Sequence, residues 1–410
     1  MHWGCCALLA TSIALGCGGQ SPSENQAGGA AGGTSMSEGG ATINAGSSSA
    51  GSNPANGGTS GTLIVVGGAG GSAHAGSAHA GSGAVAAGAG GASAGSSGNG
   101  EGGSVSAGFG GGGRAGSGGA GGIGQLGLAH NPVLKGFNAD PQIAVFDGKF
   151  YLYPTTDGFS DWLGTKFHAF SSTDLVSWSD EGTILDLGPD VSWADDRAWA
   201  PGIARKDGTY YFYFSAGQAI GVAKGNSPKG PFSDALGHAL VSQGQYGVQA
   251  IDPYPFNDDD GRSYLYFGSS SSARVVELNS DMVSFKGTPQ TIAIAGFREG
   301  SVAFKRNGTY YFMYSVNDTR SEDYNVAYGM GSSPLGPFTK AAVNPILEKN
   351  TSKGILGTGH NSVLALPNGD YYIAYHRFAI PGGDGTHREV CLDRLEFNAD
   401  GTIKPVLPTL

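Results

Sequence analysis

The stretch Arg298–Ser315, REGSVAFKRNGTYYFMYS, decides the fold. It opens on the acidic Glu299, runs through an alternating strand from Ser301 to Lys305, turns at Asn307-Gly308 and returns on the aromatic strand Tyr310 to Tyr314. Asn-Gly between two β-rich runs predicts a two-residue hairpin, because both residues accept the positive φ of a type I′ turn. The unit recurs as ADPQIAVFDGKFYLY from Ala139, WAPGIARKDGTYYFYFS from Trp199, IDPYPFNDDDGRSYLYFG from Ile251 and GHNSVLALPNGDYYIAYHR from Gly359. The turn glycines are Gly148, Gly208, Gly261, Gly308 and Gly369. A strand-rich unit repeated every fifty to sixty residues or so predicts an all-β fold, a five-bladed β-propeller.

Counting back eight or nine residues from each turn glycine reaches Asp140, Trp199 or Ala200, Asp252, Glu299 and His360. These are expected to be equivalent positions, each opening the strand that lines the central channel of its blade. Residues far apart in sequence then converge at one mouth. Three carboxylic acids and a histidine at that place make a candidate site.

The rest of the chain is read around this core. Residues 1–16 are apolar, too short to span a bilayer as a helix, and end at Cys17 in IALGC. They read as a secretory signal similar to that of a bacterial lipoprotein, with Cys17 the expected lipidation site. From 18 to 125 the chain is Gly, Ser and Ala, with 39 of the 74 glycines and four charged residues. Such a segment buries too little apolar surface to offset its conformational entropy and is expected to be a disordered linker. His74 and His79 lie in the copied unit GSAHA and read as repeat expansion.

The folded domain is expected over 126–410, a length sufficient for one propeller. It holds one cysteine, Cys391, in the apolar alternation EVCLDRLEF, so no disulfide can staple it. A net charge of −10 without a basic stripe excludes a nucleic-acid partner. Asp258-Asp259-Asp260 lacks the spaced ligands of a calcium loop and reads as a polar hairpin tip. The paired segments NSPKGPF and SSPLGPF each offer an aromatic, Phe232 and Phe338, for packing between blades.

The motifs NADP (138–141), WAP (199–201), IDP (251–253), REGS (298–301) and GHNS (359–362), in this order and in register with the hairpins, resemble glycoside hydrolase family 43. The resemblance implies a five-bladed propeller that hydrolyses glycosidic bonds with inversion and requires no cofactor. It also implies Asp140 as general base, Glu299 as general acid, and Asp252 as the group that orients the acid and adjusts its pKa. The chemistry needs such a set. One carboxylate must take a proton from water while a protonated carboxylic acid on the opposite face of the sugar gives one to the leaving oxygen. A neighbouring carboxylate raises the acid's pKa by like-charge repulsion.

By the same resemblance His360 contacts substrate or holds a calcium in the channel through water, and Arg388 in THREV contacts substrate. Arg377 in YHR could exchange roles with Arg388. Trp199, Trp193 and Trp162 are candidates for stacking on a sugar, with Trp199 best placed. WAPG departs from the family's WAPD, which places Gly202 at a local turn or subsite. The loops Thr155–Lys166 and Ser315–Tyr324 are expected at the channel mouth. The sequence thus reads as an exported lipoprotein glycosidase, otherwise a secreted one, monomeric and attached to a membrane only through its lipid. Expected substrates are β-xylosides or α-L-arabinofuranosides, with galactosides and galactofuranosides behind them. The rival reading is a carbohydrate-binding propeller without catalysis.

Overall fold

Asn307 and Gly308 adopt φ values of 50° and 78°, the two positive angles a type I′ turn requires. They join β13 (Glu299–Arg306) to β14 (Thr309–Val316). This hairpin is the inner half of one blade in a computed structural model that describes residues 130–410 except Ser271. The signal segment with Cys17, the linker and His74 and His79 lie outside the described residues.

Five antiparallel sheets follow one another along the chain. The first is β1 (Asn138–Phe146), β2 (Lys149–Thr156), β3 (Lys166–Ser172) and β4 (Ser179–Asp186). The second is β5 (Trp199–Lys206), β6 (Thr209–Ala216), β7 (Ala219–Gly225) and β8 (Ser233–Asp234). The third is β9 (Tyr254–Asn257), β10 (Ser263–Phe267), β11 (Ala273–Leu278) and β12 (Gln290–Ile292). The fourth adds β15 (Asn325–Gly331) and β16 (Thr339–Lys340) to the β13–β14 hairpin. The fifth has three strands, β17 (Gly359–Ala365), β18 (Tyr371–Phe378) and β19 (Arg388–Arg394). Its outer edge is covered by the segment before β1. The Val133 N–H donates to the Val390 carbonyl at 2.9 Å, and the Leu392 N–H to the Asn131 side chain at 2.9 Å. The chain is the five-bladed all-β propeller that its repeats predict.

The apolar residues form five clusters, one at each blade interface. Phe150 and Leu152 of the first blade pack with Tyr372, Val390 and Leu392 of the fifth, which closes the ring. Phe232 stacks on Phe212 and Phe338 on Phe312, with ring centroids 5.0 and 5.2 Å apart, each within a cluster that bridges two blades. Cys391 is buried in the cluster between the fourth and fifth blades. Asp258 is buried at its hairpin tip, where it accepts from Lys305 Nζ at 3.1 Å and from the Tyr310 hydroxyl at 2.5 Å on the next blade.

The same backbone device opens the inner strand of every blade. Asp140, Ala200, Asp252, Gly300 and His360 all have left-handed φ, between 40° and 66°. Four of the five inner strands show a bulge-type register shift there. The N–H freed at each is taken by a neighbouring blade. Ala200 donates to Thr155 Oγ1 at 2.7 Å, Asp252 to Ser215 Oγ at 3.0 Å and His360 to Ser315 Oγ at 2.8 Å. Gly300 donates to Asp252 Oδ2 at 3.0 Å, and Asp140 to Nδ1 of His376 at 3.1 Å. Strained residues of this kind persist where the surroundings over-determine them, and they cluster at functional sites.

This device corrects the expected register by one residue. Glu299 pairs with Ser315 as Ala139 pairs with Thr155, Trp199 with Ser215 and Gly359 with His376. The position matching Asp140, Asp252 and His360 is therefore Gly300, and Glu299 stands one step earlier. Successive strand residues face opposite sides, so the offset brings Glu299 to the mouth from a different direction. Turns of unequal length, two residues at Asn307-Gly308 and longer ones before Gly261 and Gly369, made simple counting ambiguous.

Candidate active site

A cavity of about 200 Å³ opens at the channel mouth, with Asp140, Asp252, Glu299, His360 and Arg388 in its lining and Trp162 and Trp199 among its walls. Asp140 carries the densest set of contacts. Its Oδ2 accepts from Thr155 Oγ1 at 2.8 Å, and its Oδ1 accepts from Arg388 Nη1 at 3.1 Å. Nδ1 of His360 lies 3.1 Å from the same Oδ1. Burial alone would raise the pKa of this carboxyl, but Arg388 and His360 outweigh it and hold Asp140 well below the usual carboxylate range. Arg388 is itself fixed by Asp157, whose Oδ2 accepts from Nε at 2.8 Å and whose Oδ1 accepts from Nη2 at 3.3 Å.

Glu299 is placed in the opposite electrostatic state. Its Oε1 accepts from the Tyr324 hydroxyl at 2.9 Å and its Oε2 from Ser269 Oγ at 3.2 Å. Burial raises its pKa, against the opposing pull of His360 and Arg298. Burial also raises Asp252, to about 7, opposed by His360 and reinforced by the charges of Glu299 and Asp140. His360 is pushed to about 9 because the carboxylates Asp140, Asp252 and Glu299 outweigh its burial. The site therefore holds one carboxyl ionised, keeps two carboxyls inclined to stay protonated, and sets an imidazolium among them.

His376 is the nearest group that the sequence reading overlooked. Burial, with Arg388 nearby, pushes its pKa down to about 4, and its Nδ1 lies 3.1 Å from the Asp140 amide nitrogen and 3.0 Å from Asp140 Oδ1. Its Nε2, though buried, meets no protein partner. Thr155, Asp157, Ser269 and Tyr324 were likewise unassigned, because their roles depend on which blade faces which. The two loops expected at the mouth do reach the cavity, through Trp162 on one and Asp318, Thr319 and Arg320 on the other.

Other expected residues separate. Arg377 lies outside the cavity and is almost fully buried, with Nε donating to Glu389 Oε1 at 2.7 Å and Nη1 to the Thr409 carbonyl at 2.8 Å. It is a packing residue and cannot exchange roles with Arg388, because strand β18 points it into an ion pair that already satisfies it. Trp193 stacks on Phe214 in the cluster between the first two blades and donates Nε1 to Asp234, away from the cavity. Trp199 and Trp162 remain at the wall, joined by the Trp199 Nε1 bond to the Trp162 carbonyl at 2.7 Å. Gly202 sits where a Cβ would come within 2.4 Å of the Pro253 carbonyl and 2.5 Å of the Pro255 ring, so it serves the close approach of the second and third blades.

Among the described residues no group of three or more His, Cys, Asp or Glu side chains is arranged to hold a metal ion. His360, the imidazole expected to hold one through water, turns Nδ1 to Asp140. No step below is routed through a metal.

Comparison with known proteins agrees with this geometry. The model of glycosyl hydrolases family 43 matches residues 129–403. The chain belongs to this family. It is a glycosidase that hydrolyses O-glycosyl compounds, and its substrates are carbohydrates. It is 43% identical over 297 residues to a β-D-galactofuranosidase of Aspergillus niger, covering 69% of this chain and 86% of that one. It is 30% identical to an arabinoxylan arabinofuranohydrolase of Paenibacillus polymyxa, covering 67% of this chain and about half, 51%, of that protein. Among solved structures it resembles a family-43 β-xylosidase/α-arabinofuranosidase from a compost microbial metagenome, in complex with xylotriose and free of calcium. That match has a TM-score of 0.58 and 31% identity over 68% of this chain and 97% of the other.

Proposed function

We propose that this family-43 enzyme is an inverting glycosidase that releases a terminal furanosyl residue, α-L-arabinofuranosyl or β-D-galactofuranosyl. Asp140 acts as general base, Glu299 as general acid and Asp252 as the group that keeps the acid protonated. The observation that carries this reading is the opposite tuning of two carboxyls in one cavity, Asp140 held ionised and Glu299 pushed up. Two titratable groups whose surroundings drive their pKa values apart make an acid–base pair.

In the proposed reaction Asp140 takes a proton from a water as that water's oxygen bonds to the anomeric carbon. The bond from that carbon to the leaving oxygen breaks, and Glu299 delivers its proton to that oxygen. Arg388 and Thr155 hold the base. Asp252, whose own pKa is about 7, raises that of Glu299 by like-charge repulsion when it is ionised. Trp199 and Trp162 offer faces for the sugar.

The furanosyl choice rests on chemistry shared by the relatives. α-L-arabinofuranose and β-D-galactofuranose have the same ring configuration and differ by the hydroxymethyl that galactofuranose carries on C5. A cavity of about 200 Å³ suits one sugar ring, below the roughly 300–1,000 Å³ of pockets for larger ligands. β-Xylosides form the second reading, supported by the likeness to the β-xylosidase/α-arabinofuranosidase.

The test is hydrolysis of aryl α-L-arabinofuranoside, β-D-galactofuranoside, β-xyloside and β-galactoside by the full chain, wild type and Asp140→Asn side by side. Turnover of a furanoside that disappears in the variant is expected. Binding of oligosaccharide without turnover of any aryl glycoside or polymer would favour the non-catalytic carbohydrate-binding reading.

Export and lipid attachment at Cys17 rest on the sequence alone, and so does a monomeric state. Palmitate labelling that survives Cys17→Ser would refute the anchor, and a dimer mass by light scattering would refute the monomer.

A further inference from the structure

The loop between β14 and β15 sends four side chains to the site, Asp318, Thr319, Arg320 and Tyr324, and Asp318 has no part in the assignments above. Tyr324 donates to Glu299, and Thr319 Oγ1 accepts from Arg388 Nη1 at 3.1 Å. Asp318 lies on the acid's side of the cavity. Its Oδ2 accepts from Arg298 Nη2 at 3.0 Å, and its Oδ1 accepts from Arg320 Nε at 2.6 Å. Arg298 is the residue immediately before Glu299 and cannot move away from it. Its backbone is pinned by an N–H bond to the Ser315 carbonyl at 2.9 Å and by its own carbonyl accepting from Ser270 at 2.8 Å. Even so, its Nε stops 3.9 Å from Glu299 Oε2, beyond hydrogen-bond range, and that buried N–H has no partner.

A guanidinium next to a general acid is a hazard. Within hydrogen-bond reach it would ionise the carboxyl that must stay protonated, and an opposite charge at about 4–6 Å lowers a carboxyl pKa by 1–3 units. We propose that Asp318 is a positioning residue that holds Arg298 off Glu299 and cancels its charge, so that Glu299 keeps the proton it gives to the leaving group. Arg320 completes the clamp by gripping Asp318 through two N–H groups, with Nη2 to Oδ2 at 2.9 Å.

Asp318 itself is held down to about 2, chiefly by Arg320, and so stays anionic at every pH at which the enzyme would work. The other groups facing Glu299 are Tyr324, Ser269, His360, Asp140, Asp252 and Arg320, and none of them bonds Arg298.

This inference rests on Glu299 as the acid, so its test has one arm that needs no turnover. The Glu299 carboxyl is titrated by ¹³C NMR in the full chain labelled at glutamate, with the signal assigned by its loss in Glu299→Gln. In Asp318→Asn and Asp318→Ala the midpoint is expected to fall by about one pH unit, and Asp318→Glu is expected to restore it. The second arm is the pH profile of kcat/KM, whose basic limb should move down by the same amount in Asp318→Asn. The loss at neutral pH should be greater for an alkyl leaving group than for a nitrophenyl one.

An unchanged midpoint in both neutral variants would overturn the proposal, as would a shift that Asp318→Glu fails to reverse. A shifted midpoint with no turnover on any substrate would sink the catalytic reading and leave the electrostatic one standing.

Discussion

The phenol ring of Tyr324 lies parallel to the imidazole of His376, with centroids 5.5 Å apart and planes within 7°. The Tyr324 hydroxyl donates to Glu299, while His376 Nδ1 lies 3.0 Å from Asp140 Oδ1. One buried stacked pair thus touches both carboxyls on which the proposed reaction depends. Strand β18 contributes one ring and the β14–β15 loop the other, so the packing of the fourth blade against the fifth sets the place of acid and base together. Gly359 makes room for the pair, since a Cβ there would come within 2.2 Å of the Tyr324 ring.

Glu299 acts on the leaving group, and the cost of removing it depends on that group. Glu299→Ala is expected to lose roughly 10²–10⁴-fold in kcat on alkyl glycosides and much less on nitrophenyl glycosides, which need little protonation. Asp140→Asn is expected to lose activity equally on both, because the attacking water is then unassisted. Steady-state kinetics on the two substrate kinds checks this, and equal losses in the two variants would reverse or remove the assignment.

Arg388 neutralises two buried carboxylates, Asp140 and Asp157. Arg388→Met leaves Asp157 without its cationic partner and Asp140 with His360 alone, and breaking a buried pair on one side costs about 3–5 kcal/mol. Denaturant unfolding at pH 7 is expected to show that loss. The variant's kcat/KM should also lose its acid limb at a higher pH than wild type, because Asp140 no longer has its strongest cationic partner. A variant as stable as wild type would mean that water or rearrangement satisfies Asp157.

Asp252 gives a pH-dependent stability difference whose sign is fixed. Its folded pKa, about 7, stands above the unfolded value. The protonated folded form is therefore favoured below about pH 4, and that advantage is lost as pH rises towards 7. Asp252→Asn removes the ionisation and keeps the shape. It is expected to match wild type at pH 4 and to exceed it at pH 8 by on the order of 2–4 kcal/mol, with little activity left. Thermal unfolding at the two pH values measures the gap, and a gap that does not change with pH would contradict the raised pKa.

Gly202 is a packing constraint. Gly202→Ala would push a methyl into the backbone of the third blade, and overpacking of this kind costs about 1–3 kcal/mol. Its Tm is expected to fall, with KM little changed. A larger effect on KM than on Tm would return Gly202 to the subsite role that the sequence suggested.

Local rules made most of the blade pattern legible. Asn-Gly and Asp-Gly turns, period-two alternation and one repeated unit are short-range signals, and each is met in the structure where it was read. The same repeats singled out Asp140, Asp252, Glu299 and His360, and the family resemblance Arg388, all of which line one cavity. Arg377 and Trp193 shared the residue types of site groups but not their direction, since a strand residue faces the channel or a blade interface according to a register that a bulge can shift by one.

The sequence by itself determined the number of blades, their order and the acids that meet at the mouth, because hairpins and repeats are written in contiguous residues. Tertiary structure alone decided the one-residue offset of Glu299, the clamp of Arg388 between Asp140 and Asp157, and the stacking of Tyr324 on His376. The clamp and the stacking join segments from different blades, with separations as long as 248 residues, and the offset rests on a bulge whose Gly300 N–H is taken by Asp252 of the neighbouring blade. Burial and the charge of such distant partners set which carboxyl is ionised and which keeps its proton, and neither quantity exists until the ring closes.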